Sequence, residues 1–326
     1  MILLSKKYQE LLNEISTQPP PFLTVGLART CLAIGSLITF VFSGPHILFD
    51  DTEIDRLNFN GLYDNINIFY LFGFDHIRIY YIVCVIILIW VISGYSPRIT
   101  GVLHWLVSFS LFRSALIVEG GDQITVVLTL LLIPITLSDT RRNHWLRYEQ
   151  SKDSNYLPAN ISWTLIRIQM AFLYLQSGVE KVYKLEDWKS GTALYYFFND
   201  PVYGSADWIN TPLNSLFLNG FISFFLCWGI IVFEIVLFGA FFMRKRKRRK
   251  LLVLAIIFHA SIAVFLGLVS FFFAMAGGLI LYLSSSKFDR SILHKINYIK
   301  ISAVQGWRIL RASIPSLIKA SIPRRK

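Results

Sequence analysis

Apolar residues in this chain gather into runs, and polar positions fall between them. The runs lie near 22–43, 77–95, 102–118, 122–138, 161–183, 219–243, 251–267 and 270–285. A helix rises 1.5 Å per residue, so ~20 apolar residues cross a hydrocarbon core of about 30 Å. The pattern therefore predicts an all-α, polytopic membrane bundle of about eight transmembrane helices. The third and fourth runs are short. The last, Ser270 to Ser286, follows Gly267 and contains Gly277 and Gly278, and reads as either a span or a re-entrant segment.

Charge between the runs supplies an orientation. Arg98, then Arg141, Arg142, Arg147 and Lys152, then the run Arg244 to Lys250 follow the second, fourth and sixth spans. The loop after the first span holds Asp50, Asp51, Glu53, Asp55, Asp64 and Asp75 against Arg56. Lys/Arg-rich loops stay in the cytoplasm, so an even count with both termini cytoplasmic satisfies each loop. Residues 1–21 place Leu3, Leu4, Leu11, Leu12 and Ile15 among charges and read as an interfacial helix ending at Pro19-Pro20-Pro21. Residues 22–286 form the transmembrane domain. Residues 287–326 carry ten Lys/Arg and a single acid, Asp289, and read as a basic amphipathic cytoplasmic tail.

Composition agrees with this reading. The chain is 54% hydrophobic, with mean hydropathy +0.53 and 16% charged residues, where a soluble protein carries about 25%. The net charge of +12 sits in membrane-flanking segments. It points to anionic membrane lipids rather than nucleic acid, which calls for a basic face on a soluble module. Cys31, Cys84 and Cys227 fall inside apolar runs without a CxxC pair. They read as small buried hydrophobes, with no metal site implied.

The candidate chemistry lies in the run 161–183, which carries Arg167, Glu180 and Lys181. An ionisable residue within a span marks protein or water rather than lipid at its side. Arg167, Tyr174, Gly178 and Lys181 share one helical face, and Gly178 admits a close neighbour beside Tyr174 and Lys181. Lys181 also suits a headgroup anchor, since a lysine near a helix end snorkels. Asp122 opens the fourth span at the same outer depth, as a helix cap or as a partner for Lys181. His259 lies mid-span, as a packing residue or a proton relay. Arg29, Arg113 and Glu234 are further charges within spans, their pairing open. Two outer segments, 45–76 and 184–218, are long. The second holds Trp188, Tyr195, Tyr196, Phe197, Phe198 and Trp208, as an interfacial belt or as a lid over an outward-opening site.

These residues resemble a known family. Arg167-x-Gln169, Tyr174, Ser177-Gly178-Val179-Glu180-Lys181 and Asp187-Trp188-x-x-Gly191 are similar to the signature of HTTM proteins, which include the membrane domain of the vitamin K-dependent gamma-carboxylase. His259, Phe271 and Gly277-Gly278 resemble that family's second block. Within the group the chain looks like the sporulation-delaying protein B family. The strings are Gly26-Leu27-Ala28-Arg29, Ser96 to Trp105, Glu119 to Ile124, Leu130 to Ile135, and His144-Trp145. The resemblance implies an HTTM-like domain over 22–286, in a multi-pass protein of the bacterial plasma membrane required to mature a secreted antimicrobial peptide. It implies two partners, the toxin precursor (protein C) and a small protein A. By the same resemblance Lys181 is a base; at a common outer-half depth, Asp122 reads as its electrostatic partner and His259 as a proton relay. Tyr174, Gly178 and Arg167 are the residues for a quinone or lipid cofactor. The carboxylase has Asn-Asn-His where this chain has Gly120-Gly121-Asp122, so glutamate carboxylation itself is not expected. A non-enzymatic scaffold for the maturation complex and an export or immunity protein are the alternatives.

Overall fold

The computed structural model describes residues 2–49, 66–69, 76–149, 155–201 and 204–284. Most of the acidic segment within 45–76 and the whole of the tail 287–326 lie outside these residues. The described chain is helical: α1 (Ile2–Thr17), α2 (Phe22–Phe42), α3 (Pro45–Leu48), α4 (Ile77–Ser93), α5 (Pro97–Ser114), α6 (Gly120–Leu137), α7 (Leu157–Tyr183), α8 (Glu186–Ser190), α9 (Ala193–Phe198), α10 (Asp207–Phe217), α11 (Gly220–Gly239), α12 (Lys245–Leu266) and α13 (Val269–Leu283). A helix stands at each of the apolar runs.

Boundaries follow local chemistry. Pro97 and Pro158 open α5 and α7, where a missing N–H costs nothing. Asn219 caps α11 by accepting from the Ile222 N–H at 3.3 Å. Gly267, left-handed at φ 72°, separates α12 from α13. Helix α12 starts earlier than its apolar run and takes in the basic residues from Lys245, since Lys and Arg are good helix formers.

Four of these helices, Phe22–Phe42, Gly120–Leu137, α11 extended to Phe242, and Lys245–Leu266, are long and apolar enough to cross a membrane unaided; Ile77–Ser93 and Val269–Leu283 are shorter apolar helices. The outward faces are apolar too. Ile82, Ile86 and Ile89 of α4 are exposed, as are Phe225 and Val232 of α11 and Val253, Ile257 and Val264 of α12. Helices apolar on both the core and the outer side belong in lipid.

Helix α13 occupies the centre. Its residues from Ala274 to Leu283 are all buried, and it packs on α2, α12, α6 and α7. Gly277 and Gly278 are part of this continuous helix. A Cβ on Gly277 would stand 3.0 Å from the Ala28 carbonyl oxygen, and one on Gly278 would stand 2.8 Å from Met170 Cε. The glycines thus set the helix spacing rather than interrupt the helix. A second apolar cluster joins α2, α4 and α5 through Ala33, Phe40, Cys84, Leu88, Val107 and Leu111.

The segment between α6 and α7 is tied down by buried polar groups. Arg141 pairs with Asp139 at 2.7 Å and donates to the carbonyls of His144, Leu146 and Phe22. Arg29, 1% exposed within α2, donates to Thr100 Oγ1 at 3.0 Å and faces His144 Nδ1 at 3.5 Å. A guanidinium only donates, so Nδ1 is the acceptor and the imidazole is neutral. Burial, with the Arg29 and Arg141 charges, pushes His144 from 6.5 down to about 2. The unfolded chain therefore binds a proton below about pH 6.5 that the folded chain refuses. Stability falls as pH drops through this window, and we expect the melting temperature to decline between pH 7 and pH 5. A His144→Gln variant that declined as steeply would contradict this origin.

Candidate functional site

The inward face of α7 carries Tyr174, Ser177, Gly178 and Lys181. Lys181 is bonded within the bundle. Its Nζ lies 2.9 Å from both carboxylate oxygens of Glu234 on α11 and 2.7 Å from Ser177 Oγ. Ser177 Oγ in turn donates to Glu234 Oε1 at 3.0 Å. The side chains of Lys181 and Glu234 are 13% and 10% exposed. Trp188 of α8 covers the pair, its ring centroid 5.0 Å from Nζ, a cation–π contact on a desolvated ammonium. The ammonium is thus held by carboxylate, hydroxyl and ring together.

Two glycines bring these parts within reach. A Cβ at Gly178 would meet Ile235 Cδ1 at 2.8 Å, so α11 lies against α7 where Glu234 projects. Gly191, at φ 86°, ends α8. A Cβ there would stand 2.5 Å from Phe224 Cα, and Ser223 Oγ donates to its carbonyl at 2.6 Å. Gly191→Ala is expected to cost about 1–2 kcal/mol for the left-handed backbone and about 1–3 kcal/mol for the clash. It would lift α8 and Trp188 off Lys181. A thermal melt of the purified variant checks this, and an unchanged melting point would contradict it.

Beside the pair opens a cavity of about 770 Å³. Its walls are largely apolar and include six phenylalanines, Phe197 and Phe198 of α9, Phe217 of α10, Phe258 and Phe265 of α12 and Phe271 of α13. The aromatic segment 184–218 therefore helps wall this space through α8, α9 and α10. Polar groups converge at Lys181, Glu234, Ser177, Gln176, Glu180 and His259. Apolar walls with a few convergent polar groups suit a small or elongated apolar ligand with one polar end.

His259 lines this cavity from α12. Its Nδ1 lies 2.8 Å from the Ala255 carbonyl. A carbonyl only accepts, so Nδ1 carries the hydrogen and Nε2 is left as the acceptor. Tyr174 lies edge-on to it at 6.2 Å between ring centroids, and the Tyr174 hydroxyl is buried without a hydrogen-bond partner among the described residues.

The other expected residues stand elsewhere. Asp122 is at the start of α6, where its Oδ2 accepts from the Glu119 N–H at 3.3 Å, and it is not among the residues lining the cavity. The structure gives Lys181 Glu234 in its place. Arg167 is fourteen residues before Lys181, about 21 Å along the helix. There it donates to the Tyr282 carbonyl at 3.3 Å and lies over the Phe241 ring. Glu180 lines the cavity but is not bonded to Lys181; it pairs with Lys184 at 2.7 Å and accepts from Gln176 at 3.3 Å. Glu234 is the residue whose role spacing did not reveal. Its signal is a lone carboxylate in the otherwise apolar sequence of α11, which requires a cation on a neighbouring helix.

No family model matches the chain, and no solved structure matches it. Two curated proteins do. Over 263 residues, 79% of this chain and 84% of the relative, it is 37% identical to the uncharacterized protein YitO of Bacillus subtilis (strain 168). Over 275 residues, 82% of this chain and 83% of the relative, it is 34% identical to the sporulation-delaying protein SdpB of the same organism. The chain belongs to the sporulation-delaying protein B family. The match spans most of both proteins, so the family relation covers the helical bundle and not one motif within it. With four helices apolar and long enough to span, this member of the family is a membrane protein.

Proposed function

We propose that this protein acts in the plasma membrane of a bacterium in maturing an exported peptide toxin, and that the cavity beside Lys181 is where it holds its substrate. The observation that carries this is the polar end of that cavity: a lysine, a carboxylate and a hydroxyl bonded together under Trp188. A buried ion pair is weak as a stabilising device, and its position on a phenylalanine-lined space suits recognition of an apolar peptide segment. The partners in this reading are the toxin precursor and the small partner protein of the same system.

The topology belongs to the same reading. Helices α5 and α7 add to the four long apolar helices and the two shorter ones, giving eight spans with both termini cytoplasmic. The HTTM likeness over 22–286 is part of it. Helix α13 is too short to need lipid on its own account, and the surrounding helices carry it across.

The enzyme form of the proposal gives proton transfer to the cavity. Lys181 and Glu234 exchange one proton between them, and His259 Nε2 accepts on the facing wall. Asp122 then acts only through the start of α6. The quinone that the family resemblance implies has fitting surroundings: apolar walls, and the Tyr174 hydroxyl available to a carbonyl oxygen. Bound there, a quinone supplies a redox-active ring, while the chain's own part is to orient it, exclude water and hold the proton.

The test is a mass spectrum of the secreted peptide from cells with this protein, without it, and with Lys181→Ala at equal protein level. A mass difference between the first two, lost again in Lys181→Ala, is the expected result. An identical mature peptide in all three would sink the catalytic form and leave the scaffold.

A further inference from the structure

The start of α12 leaves charge unanswered. Cations at a helix N-terminus oppose its macrodipole, yet α12 opens with Lys245 to Lys250. It has no acidic residue in its first turn and no side chain capping its first amides. By the geometry of a helix start, the amides of Lys245 and Arg246 have no acceptor within the helix.

The rest of the run is exposed, whereas Arg248 is 8% exposed. Arg248 stands on the inward stripe that continues through Leu251, Leu252, Ala255 and His259, a position ordinarily apolar. Its Nε and Nη1 are buried with no hydrogen-bond partner among the described residues. Arg167 of α7 is near enough for the two guanidinium charges to act on each other. Arg167 donates to the Tyr282 carbonyl, so one of its donors answers the end of α13. Among the described residues neither arginine forms an ion pair with a carboxylate. Two like charges, one of them buried, stand beside an uncapped helix start with no carboxylate among the described residues to answer them, and such a place suits an anion.

We propose that the start of α12, with Arg248 and Arg167, binds a phosphate group such as the headgroup of an anionic phospholipid carries. A guanidinium fork matches two phosphate oxygens at once, and the first-turn amides take a third. The exposed lysines and arginines of the run draw the anion to the site. This site lies about 21 Å along α7 from Lys181, at the opposite end from the cavity's polar group, and does not depend on what that cavity holds.

The experiment uses the full chain in neutral detergent, with phosphatidylglycerol, phosphatidylcholine or inorganic phosphate added. Phosphatidylglycerol is expected to raise the melting temperature by several degrees and phosphatidylcholine is not. The apparent affinity for phosphatidylglycerol should fall about tenfold or more in Arg248→Gln, the usual scale for losing charge-assisted hydrogen bonds, and also fall in Arg167→Gln. A shift with millimolar inorganic phosphate and none with the lipid would make the free ion the source and keep the site. Arg248→Met without lipid controls for folding: it should melt at or above the wild-type temperature, since it removes a buried unanswered charge. A wild-type protein indifferent to all three additives, an Arg248→Gln protein responding as wild type, or an Arg248→Met protein melting well below wild type without lipid would each overturn the proposal.

Discussion

Glu234→Ala is expected to destabilise the protein by about 3–5 kcal/mol, because it strands the Lys181 ammonium inside the bundle. Both oxygens of Glu234 bond that ammonium at 2.9 Å, and Ser177 supplies only one further acceptor side chain. The loss is read as a lower melting temperature in detergent. Replacing both partners, Lys181→Met with Glu234→Leu, should recover most of it, since neutral residues of similar volume tolerate such a site. The same double variant should yield no mature peptide from cells. Stability and product thus separate the two roles of the pair. If the double variant matured the peptide at the wild-type level, the pair would be structural alone.

Arg141→Ala is expected to cost a similar amount, about 3–5 kcal/mol, although it lies far from the cavity in sequence and makes no contribution to its walls. The side chain donates to Asp139 through Nε at 2.9 Å and Nη2 at 2.7 Å. It donates through Nη1 to the His144 and Leu146 carbonyls at 2.8 and 2.6 Å, and reaches the Phe22 carbonyl at 3.2 Å. Its guanidinium also lies over the Phe22 ring at 5.4 Å. Truncation leaves a buried carboxylate and three carbonyls at once. Arg141→Lys should rescue little, because an ammonium cannot span this fork. Melting temperatures of the two variants check both statements. An Arg141→Lys protein close to wild type would show that charge, not geometry, holds the segment.

The helices were legible because the hydrophobic runs match the length a membrane demands. Their ends were less so. The start of α12 lies within a run that reads as loop from charge alone, yet Lys and Arg sustain a helix beyond the apolar stretch. On α7, spacing was enough to place Tyr174, Gly178 and Lys181 on one face. It could not say which helix would meet that face, because pairing between spans depends on how they pack and not on the order of residues within them. Asp122 and Glu234 were both carboxylates available to Lys181. Close packing at Gly178 decides for Glu234, since it seats α11 against α7, while Asp122 bonds the Glu119 amide of its own helix start. Arg167, on the same face by periodicity, is separated from the cavity by distance along the axis, a quantity that a helical wheel discards.

The buried position of α13 bears on how the protein is made. Its fifteen residues extend about 22 Å, and its neighbours include α2, from the opposite end of the described chain. During synthesis α2 enters the bilayer long before the helix that will cover its inner face exists. Among the described residues the bundle is therefore completed by its last helix, and the part of the cavity wall that Phe271 contributes arrives with it. A ribosome stalled before residue 269 would leave a set of inserted helices with a groove where the centre belongs, open to membrane quality control.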